Sequence, residues 1–168
     1  MEKLYLACGQ VKREGFKGVD KIKTDATDIV MDLTVYPWDF ADNSIDEILC
    51  EHYVEHIQDI IRFMDEAYRI LKNGAMMTII APYYSSIRAW QDPTHVRAIS
   101  EALFPYFNKN WRKINRLEHY DIKSNFDTVN VGYFFVSEWE NKNENEKTFA
   151  AMHYLNVIND IRITLIKR

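Results

Sequence analysis

The chain has 168 residues, of which 47% are hydrophobic and 27% are charged, and this length predicts one domain, residues 1–168, with a buried core. The net charge of −4 argues against general nucleic-acid binding, which needs a basic surface. No stretch reaches the roughly 18 apolar residues that a membrane span requires, and we expect no signal peptide before the first strand. Two cysteines, Cys8 and Cys50, make no disulfide framework, so the sequence predicts a cytoplasmic protein. Because no apolar stretch is long enough to span a bilayer, we also expect no membrane partner.

Short apolar segments in the first fifty residues predict strands. Each is followed by small or polar residues that end it, and two of them end at an aspartate, Asp20 and Asp32. Only residues 8–15 separate the first two predicted strands, which is short for a parallel crossover. The first helix is therefore expected to be a single turn, or the strand pairing is unusual. The predicted strands cover about residues 3–7, 16–20, 29–31 and 44–50.

The middle of the chain predicts one long helix followed by a buried strand. Apolar residues recur at helical spacing over residues 59–71, and Asn73-Gly74 is suited to a left-handed helix cap. Residues 76–81 are a continuous apolar run, which is typical of a strand buried on both faces. Pro82 ends that strand.

The last third of the chain predicts an antiparallel edge to the sheet. Residues 121–136 alternate in polarity and predict one or two strands, and residues 161–166 predict a final strand. The charged segment 140–147 predicts an exposed loop. Strands that alternate with helices predict an α/β three-layer architecture with a mixed sheet.

A small-residue turn after the first strand predicts a nucleotide-binding site. Leu4, Tyr5 and Leu6 form the strand, Ala7-Cys8-Gly9 follows, and the second strand ends at Asp20. Small residues let the backbone approach a ligand, and a carboxylate at the next strand end accepts hydrogen bonds from ribose hydroxyls. For Asp20 and Asp32 the alternative is a turn-forming or capping aspartate.

In the order and spacing of its motifs, the chain resembles the class I S-adenosylmethionine-dependent methyltransferases, in a compact branch with a Leu-x-Leu-x-Cys-Gly turn. The motifs are Leu4 to Gly9, Gly18-Val19-Asp20, Asp32-Leu33, Asp42 to Ile48, Cys50 to Ile57 and Tyr68 to Gly74. Ala7 stands where glycine is usual, and Tyr5 replaces a small polar residue. The resemblance implies a Rossmann-like, mostly parallel seven-stranded sheet with an antiparallel strand near the C-terminus.

The same resemblance implies S-adenosyl-L-methionine as cofactor and assigns the residues that bind it. The turn would hold the cofactor, Asp20 its ribose, and Asp32 with Leu33 its adenine. Glu51 and His52 would approach the methionine part, whereas Glu55 and His56 would be structural. The implied cofactor-binding set is Ala7, Cys8, Gly9, Asp20, Asp32, Leu33, Glu51 and His52.

His52-x-x-Glu55-His56 also has the spacing of an inverted zinc-peptidase motif. That function would need a helix around the motif and a third ligand. The segment follows a predicted strand, where the methyltransferase resemblance already explains it. The interpretation adopted from the sequence is therefore a site without a metal.

The segment from Pro82 to Arg97 predicts the acceptor site, because it leaves the sheet at the carboxyl end of the fifth strand, where open α/β sheets bind ligands. A packed loop is the alternative. His95 is the best-suited general base, since its unperturbed pKa lies near neutrality, with Tyr84 and Asp92 as alternatives. Arg97 could hold a carboxylate or phosphate, and the resemblance includes a similar Asp-Pro-Thr-His-Val-Arg element. The expected substrate-binding residues are Tyr83, Trp90 and Arg97.

The sequence thus predicts methyl transfer to an oxygen or nitrogen of a small-molecule acceptor. The alternative is a non-catalytic accessory or regulatory subunit that binds S-adenosylmethionine or S-adenosylhomocysteine, and a zinc hydrolase is the third hypothesis. A short, aromatic-rich chain that begins at its first core strand also predicts a homodimer.

Overall fold

The computed structural model describes all residues, 1–168, and its centre is one seven-stranded sheet. The spatial order of the strands is β3-β2-β1-β4-β5-β7-β6. Strands β1 to β5 are parallel, whereas β7 is antiparallel to both of its neighbours. The strands are β1 Lys3–Leu6, β2 Lys17–Asp20, β3 Ile29–Val30, β4 Ile45–Glu51, β5 Leu71–Pro82, β6 Phe126–Phe135 and β7 Ile158–Lys167.

Five α-helices and two 3₁₀ helices accompany the sheet. Residues Val54–His56 and Glu101–Phe107 form the 3₁₀ helices. No helix is long and apolar enough to cross a membrane. The α-helices are α1 Ile60–Ile70, α2 Arg88–Gln91, α3 Lys109–Ile114, α4 Ser137–Glu140 and α5 Glu144–His153.

Helix α1 is the longest crossover helix, and it buries one apolar side against the sheet. Its N-cap is Asp59, whose side chain accepts a hydrogen bond from the Arg62 N–H. Phe63, Met64 and Ala67 are fully buried in the main core. The helix ends at Ile70, and β5 follows at once. Gly74 has a positive φ of 77° but lies inside β5, so the predicted cap at Asn73-Gly74 is wrong by several residues.

The first three strand connections contain no helix, which is the largest difference from the sequence-based expectation. Residues 7–16 join β1 to β2 as a loop, and β1 and β2 are nevertheless parallel. Loop 21–28 packs tightly on β2, because a Cβ on Gly18 would lie 2.1 Å from the Ala26 carbonyl oxygen. The Asp28 carboxylate fixes that contact by accepting from the Gly18 N–H at 2.8 Å. Loops therefore occupy positions where helices cover most parallel sheets.

Segment 140–147 is helical over part of its length, so the predicted loop is wrong there. Helix α5 begins with a capping box: the Asn143 side chain accepts from the Glu146 N–H, and Glu146 accepts from the Asn143 N–H. Ala150 anchors the helix in the core.

The strand order reverses between β1 and β4, since the chain runs outward to β3 and returns to β4 beside β1. The carboxyl ends of β1, β2 and β4 meet at this point. Ligand sites of open α/β sheets form at such a switch point.

Candidate active site

A cavity of about 470 Å³ opens where β1, β2 and β4 end. This volume lies within the usual range for small-molecule sites. Its walls come from the turn after β1, the end of β2, residues 32–34 and the segment after β4. The predicted cofactor-binding residues that line it are Ala7, Asp20, Asp32, Leu33 and His52.

The turn after β1 is built around Asp20. Ala7 and Gly9 both have φ near 54°, which turns the chain back on itself. The Gly9 N–H donates to Oδ2 of Asp20 at 2.9 Å, and the Ile22 N–H donates to Oδ1 at 3.0 Å. A carboxylate offers about four acceptor positions, so Asp20 retains positions for ligand hydroxyls. Nothing lies within 4 Å of where a Gly9 Cβ would be, and the turn has room for a ligand.

Asp32 supplies a second carboxylate to the same cavity. Oδ1 of Asp32 accepts hydrogen bonds from the Thr34 hydroxyl at 2.7 Å and the Thr34 N–H at 2.9 Å. The Thr34 side chain is the main reason that the pKa of Asp32 lies below its usual value. Leu33 is buried beside it. A carboxylate next to an apolar side chain suits the edge and face of a nucleobase.

Cys8, Gly9 and Glu51 do not line this cavity. The Cys8 side chain is buried against Ala26 and Thr27, and burial raises the pKa of its thiol. Gly9 acts through its N–H on Asp20. Glu51 pairs with Arg13, whose Nε and Nη2 donate to one carboxylate oxygen at 3.0 and 2.8 Å. The geometry favours structural roles for Cys8 and Glu51 over the cofactor contacts implied by the resemblance.

A second, smaller cavity of about 200 Å³ adjoins the first and shares His52 and His56 with it. His95 and Asp92, both expected to be catalytic, line this smaller cavity. Nε2 of His95 lies 3.9 Å from Oδ2 of Asp92 and 4.0 Å from Oε1 of Glu55. The structure therefore brings these two predicted residues together next to the cavity of about 470 Å³.

His52 faces both cavities and is held in an unusual conformation. Its φ is 50°, and its side chain is 43% exposed. Nδ1 lies 3.7 Å from Oε1 of the buried Glu55. This interaction is the main reason that the pKa of His52 lies above its usual value.

The remaining residues of the predicted acceptor site lie elsewhere. The Arg97 guanidinium donates to the carbonyl oxygens of Ile57 and Gln58, which favours a structural role over a substrate clamp. Tyr83 is buried, and its ring packs edge-on against Tyr84. Tyr84 is 45% exposed and Trp90 is 67% exposed, and neither lines the two cavities.

Several cavity residues were missed from the sequence. Thr34 and Thr94 carry no titratable group, but each lies two residues after an aspartate whose carboxylate its hydroxyl contacts. This Asp-x-Thr spacing is the sequence signal for both residues. Tyr53 and Ile57 carried no signal beyond an apolar character. The residues that line the cavity of about 470 Å³ and were not predicted are Lys21, Thr34, Tyr53, His56, Ile57 and Thr94.

A larger cavity of about 710 Å³ lies beside α1, but its charged groups already pair with one another. Arg69 contacts Asp42 at 2.6 Å and Glu66 at 2.6 Å. None of its lining residues belongs to the carboxyl end of β1, β2 or β4, so it is a weaker candidate than the cavity at the switch point.

Comparison with known proteins agrees with this geometry. Residues 8–79 match the model of a family described as a methyltransferase domain. No curated protein sequence matches the chain. Among solved structures, a SAM-dependent methyltransferase from Archaeoglobus fulgidus is similar over 99% of this chain and 86% of its own, with a TM-score of 0.69 and 18% identity.

Two further structures show the same likeness. A SAM-dependent methyltransferase from Methanosarcina mazei is similar over 99% of this chain and 92% of its own, with a TM-score of 0.59 and 13% identity. The methyltransferase in a complex with the Haloferax volcanii Trm112 activator is similar over 99% of this chain and 82% of its own, with a TM-score of 0.58 and 13% identity. The chain thus has the class I S-adenosylmethionine-dependent methyltransferase fold, and residues 8–79 match the methyltransferase domain family.

Proposed function

We propose that this protein binds S-adenosyl-L-methionine and transfers its methyl group to an oxygen or nitrogen of a small-molecule acceptor. The observation that carries the proposal is the joining of two cavities. One presents Asp20, Asp32 and Leu33, and the other presents His95 and Asp92, with His52 and His56 between them.

The cavity of about 470 Å³ fits the cofactor by the chemistry of its hydrogen-bond acceptors. Asp20 accepts hydrogen bonds from ribose hydroxyls with the acceptor positions that Gly9 and Ile22 leave free. Asp32 accepts from the adenine amino group, and Leu33 lies against the ring. The cofactor supplies a methyl group that its sulfonium already activates. The protein then has to align the acceptor and, where required, remove a proton.

The smaller cavity supports binding of the acceptor, and we assign the proton-accepting role to His52. His95 was the residue expected from the sequence, but its side chain is only 8% exposed. It lines the cavity of about 200 Å³ and not the cavity of about 470 Å³. His52 is accessible, borders both cavities and is oriented by the Glu55 carboxylate. A base at the boundary between cofactor and acceptor is placed to act during transfer.

The experiment has two stages. Mass spectrometry of the natively purified protein and titration with S-adenosylmethionine test cofactor binding, and a labelled-methyl screen over hydroxyl and amine acceptors identifies the substrate. His52→Asn should then lower the transfer rate at saturating cofactor by about 10²-fold or more, a condition that separates loss of the base from any loss of cofactor contacts. Transfer at the wild-type rate in a folded His52→Asn protein would remove that role.

A non-catalytic cofactor-binding subunit is the second candidate. Its motive is Ala7, which holds a left-handed conformation with φ 54° beside the cavity, and the loops that leave the cavity open. The similar Haloferax methyltransferase is in a complex with an activator, so a protein partner is one way to cover such a cavity. Cofactor binding without turnover over the whole acceptor screen would support this candidate.

We also propose that the chain forms a homodimer through an apolar rim, defined as Ile87, Trp90, Phe149, Met152 and Leu155. Each of these side chains is more than half exposed. The two parts of the rim are joined where Oδ1 of Asn156 accepts from the Ile87 N–H at 2.6 Å. In a two-fold dimer the same patch faces itself, and exposed apolar patches of this kind mark interaction sites.

A further inference from the structure

Three side chains with metal-ligating atoms converge beside the cofactor cavity: Glu55, His56 and His95. One ligand atom from each lies within 4.8 Å of the others. Glu55 and His56 belong to the 3₁₀ helix after β4, and His95 belongs to the segment after β5. Two different chain segments therefore contribute to one cluster, which borders the cavity of about 200 Å³.

The hydrogen bonds of the two histidines fix their tautomers. Nδ1 of His95 lies 3.1 Å from the Ala89 carbonyl oxygen, which can only accept, so Nδ1 carries the proton. Nδ1 of His56 lies 2.9 Å from Oγ1 of Thr94, and the Thr94 hydroxyl donates its own proton to Asp92 at 2.7 Å. Nδ1 of His56 must therefore donate as well. With Nδ1 carrying the proton, the lone pair available to a metal ion on each ring is that of Nε2, and outer partners hold metal-binding histidines in the same way.

The Glu55 carboxylate is buried and incompletely satisfied. Its side chain is 2% exposed, and Oε2 has no hydrogen-bond partner in the protein. Oε1 lies 4.0 Å from Nε2 of His95. A buried acceptor without a partner is costly, and a cation between this carboxylate and the two imidazoles would satisfy it.

Hydrogen bonds join the two chain segments that carry the cluster. The Val96 N–H donates to the Glu55 carbonyl oxygen at 2.8 Å. The neighbouring Arg97 guanidinium donates to the Ile57 and Gln58 carbonyl oxygens at 2.7 Å each. These contacts hold the segment after β5 against the segment after β4, so the ligand atoms need little further ordering on binding.

We propose that Glu55, His56 and His95 bind a divalent first-row transition metal ion. Two imidazoles and one carboxylate are a donor set of zinc and non-haem iron sites, whereas calcium and magnesium prefer oxygen ligands alone. Ligand atoms on a tetrahedral zinc ion lie about 3.4 Å apart, so small side-chain rotations close the present spacing. The adjoining cavity leaves room for a further ligand.

This site differs from the inverted zinc-peptidase motif considered from the sequence. That motif places two histidines on one helix face, but Val54–His56 is a single 3₁₀ turn. His52 is not part of the three-residue cluster. The third ligand comes instead from His95, about forty positions along the chain.

Zinc titration of the full chain after treatment with a chelator tests the proposal. We expect one zinc ion per chain with a dissociation constant below about 1 µM, and affinity at least tenfold weaker in Glu55→Gln and in His95→Ala. The matched control is His119→Ala/His153→Ala, which removes two exposed histidines that do not belong to the cluster and should leave affinity within about twofold. Cobalt(II) absorption in the wild type gives an independent readout of nitrogen and oxygen coordination.

Two results would overturn the site. One is the absence of zinc binding to wild type at 100 µM, a concentration about 100-fold above the expected constant. The other is equal zinc affinity in wild type and in folded Glu55→Gln protein. Zinc should also raise the thermal midpoint of wild type more than that of Glu55→Gln at the same zinc concentration. A parallel titration with S-adenosylmethionine separates this proposal from the proposed function, since either can fail while the other holds.

Discussion

Nδ1 of His52 lies 3.7 Å from Oε1 of Glu55, and the Glu55 carboxyl is almost completely buried. The interaction raises the pKa of His52, so folding favours the protonated ring. Its stabilisation is fully present below the unfolded pKa of about 6.5 and is lost as the pH rises through the folded value. We expect Glu55→Gln to lower the pKa of His52, as measured by NMR titration of the metal-free protein.

The control for this measurement is Asp92→Asn. Asp92 lies near His95 rather than His52, and its removal should leave the pKa of His52 in place. An unchanged pKa of His52 in Glu55→Gln protein would show that Glu55 does not set it.

Replacement of Asp20 by alanine should weaken S-adenosylmethionine binding at least tenfold, or about 1.4 kcal/mol. Asp20 faces the cavity and also holds the turn by accepting from the Gly9 N–H, so both ligand contact and turn geometry are lost. Isothermal titration measures the change. Asp25→Ala removes an exposed carboxylate from the neighbouring loop and should bind like wild type; equal affinities for all three proteins would exclude Asp20 from the site.

Arg97→Ala should lower the free energy of unfolding by about 2 kcal/mol, because hydrogen bonds from charged donors contribute about 1.5–3 kcal/mol. Its guanidinium joins the segment after β5 to the carbonyl oxygens of Ile57 and Gln58. Thermal or urea unfolding measures the loss, and Arg97→Lys should recover part of it. Normal stability with a raised acceptor KM would instead support the substrate-binding role expected from the sequence.

The sheet and the positions of Asp20 and Asp32 at strand ends could be predicted from the sequence because they depend on local signals. Asp20 and Asp32 follow apolar strands directly, and the carboxyl ends of parallel strands share one edge of a sheet. The surroundings of His95 could not be predicted in the same way. The position of His95 depends on contacts between distant segments, such as that between Val96 and Glu55, and no local pattern encodes them.

One local error has a simple cause. Segment 140–147 is rich in Asn, Glu and Lys, and its polarity suggested a loop. The Asn143-x-x-Glu146 capping box nevertheless starts a helix there. The hydrogen bonds of Arg97 to the Ile57 and Gln58 carbonyl oxygens join segments about forty positions apart, so no local sequence pattern predicts them.

Self-association through the apolar rim gives a fourth prediction. Light scattering at tens of micromolar should give twice the chain mass of 20.0 kDa. Leu155→Lys places a charge at the most exposed of the rim side chains, at 75% exposure, and should give a monomer. Val129→Lys, on the edge strand β6 away from the rim, is the matched control and should remain dimeric. A wild-type monomer under these conditions would refute the dimer.

The last prediction concerns Ala7, which adopts a φ of 54° at the turn facing the cavity. A left-handed conformation costs a residue with a Cβ about 1–2 kcal/mol, whereas glycine adopts it freely. Glycine also has more conformational entropy to lose on folding, which offsets about 0.4–1 kcal/mol. We therefore expect Ala7→Gly to raise the free energy of unfolding by about 0.5–1 kcal/mol.

Urea unfolding of Ala7→Gly and of Ala75→Gly makes the comparison, because Ala75 lies in β5 and is not among the residues with positive φ. Ala75→Gly should destabilise the protein, since glycine has no compensating gain there. The substitution at Ala7 also removes a methyl group from the cavity wall, so S-adenosylmethionine affinity should stay equal or increase. Destabilisation by Ala7→Gly comparable to that by Ala75→Gly would mean that Ala7 is not strained. The loops that leave the cavity open would then be the only structural observation that supports a non-catalytic role.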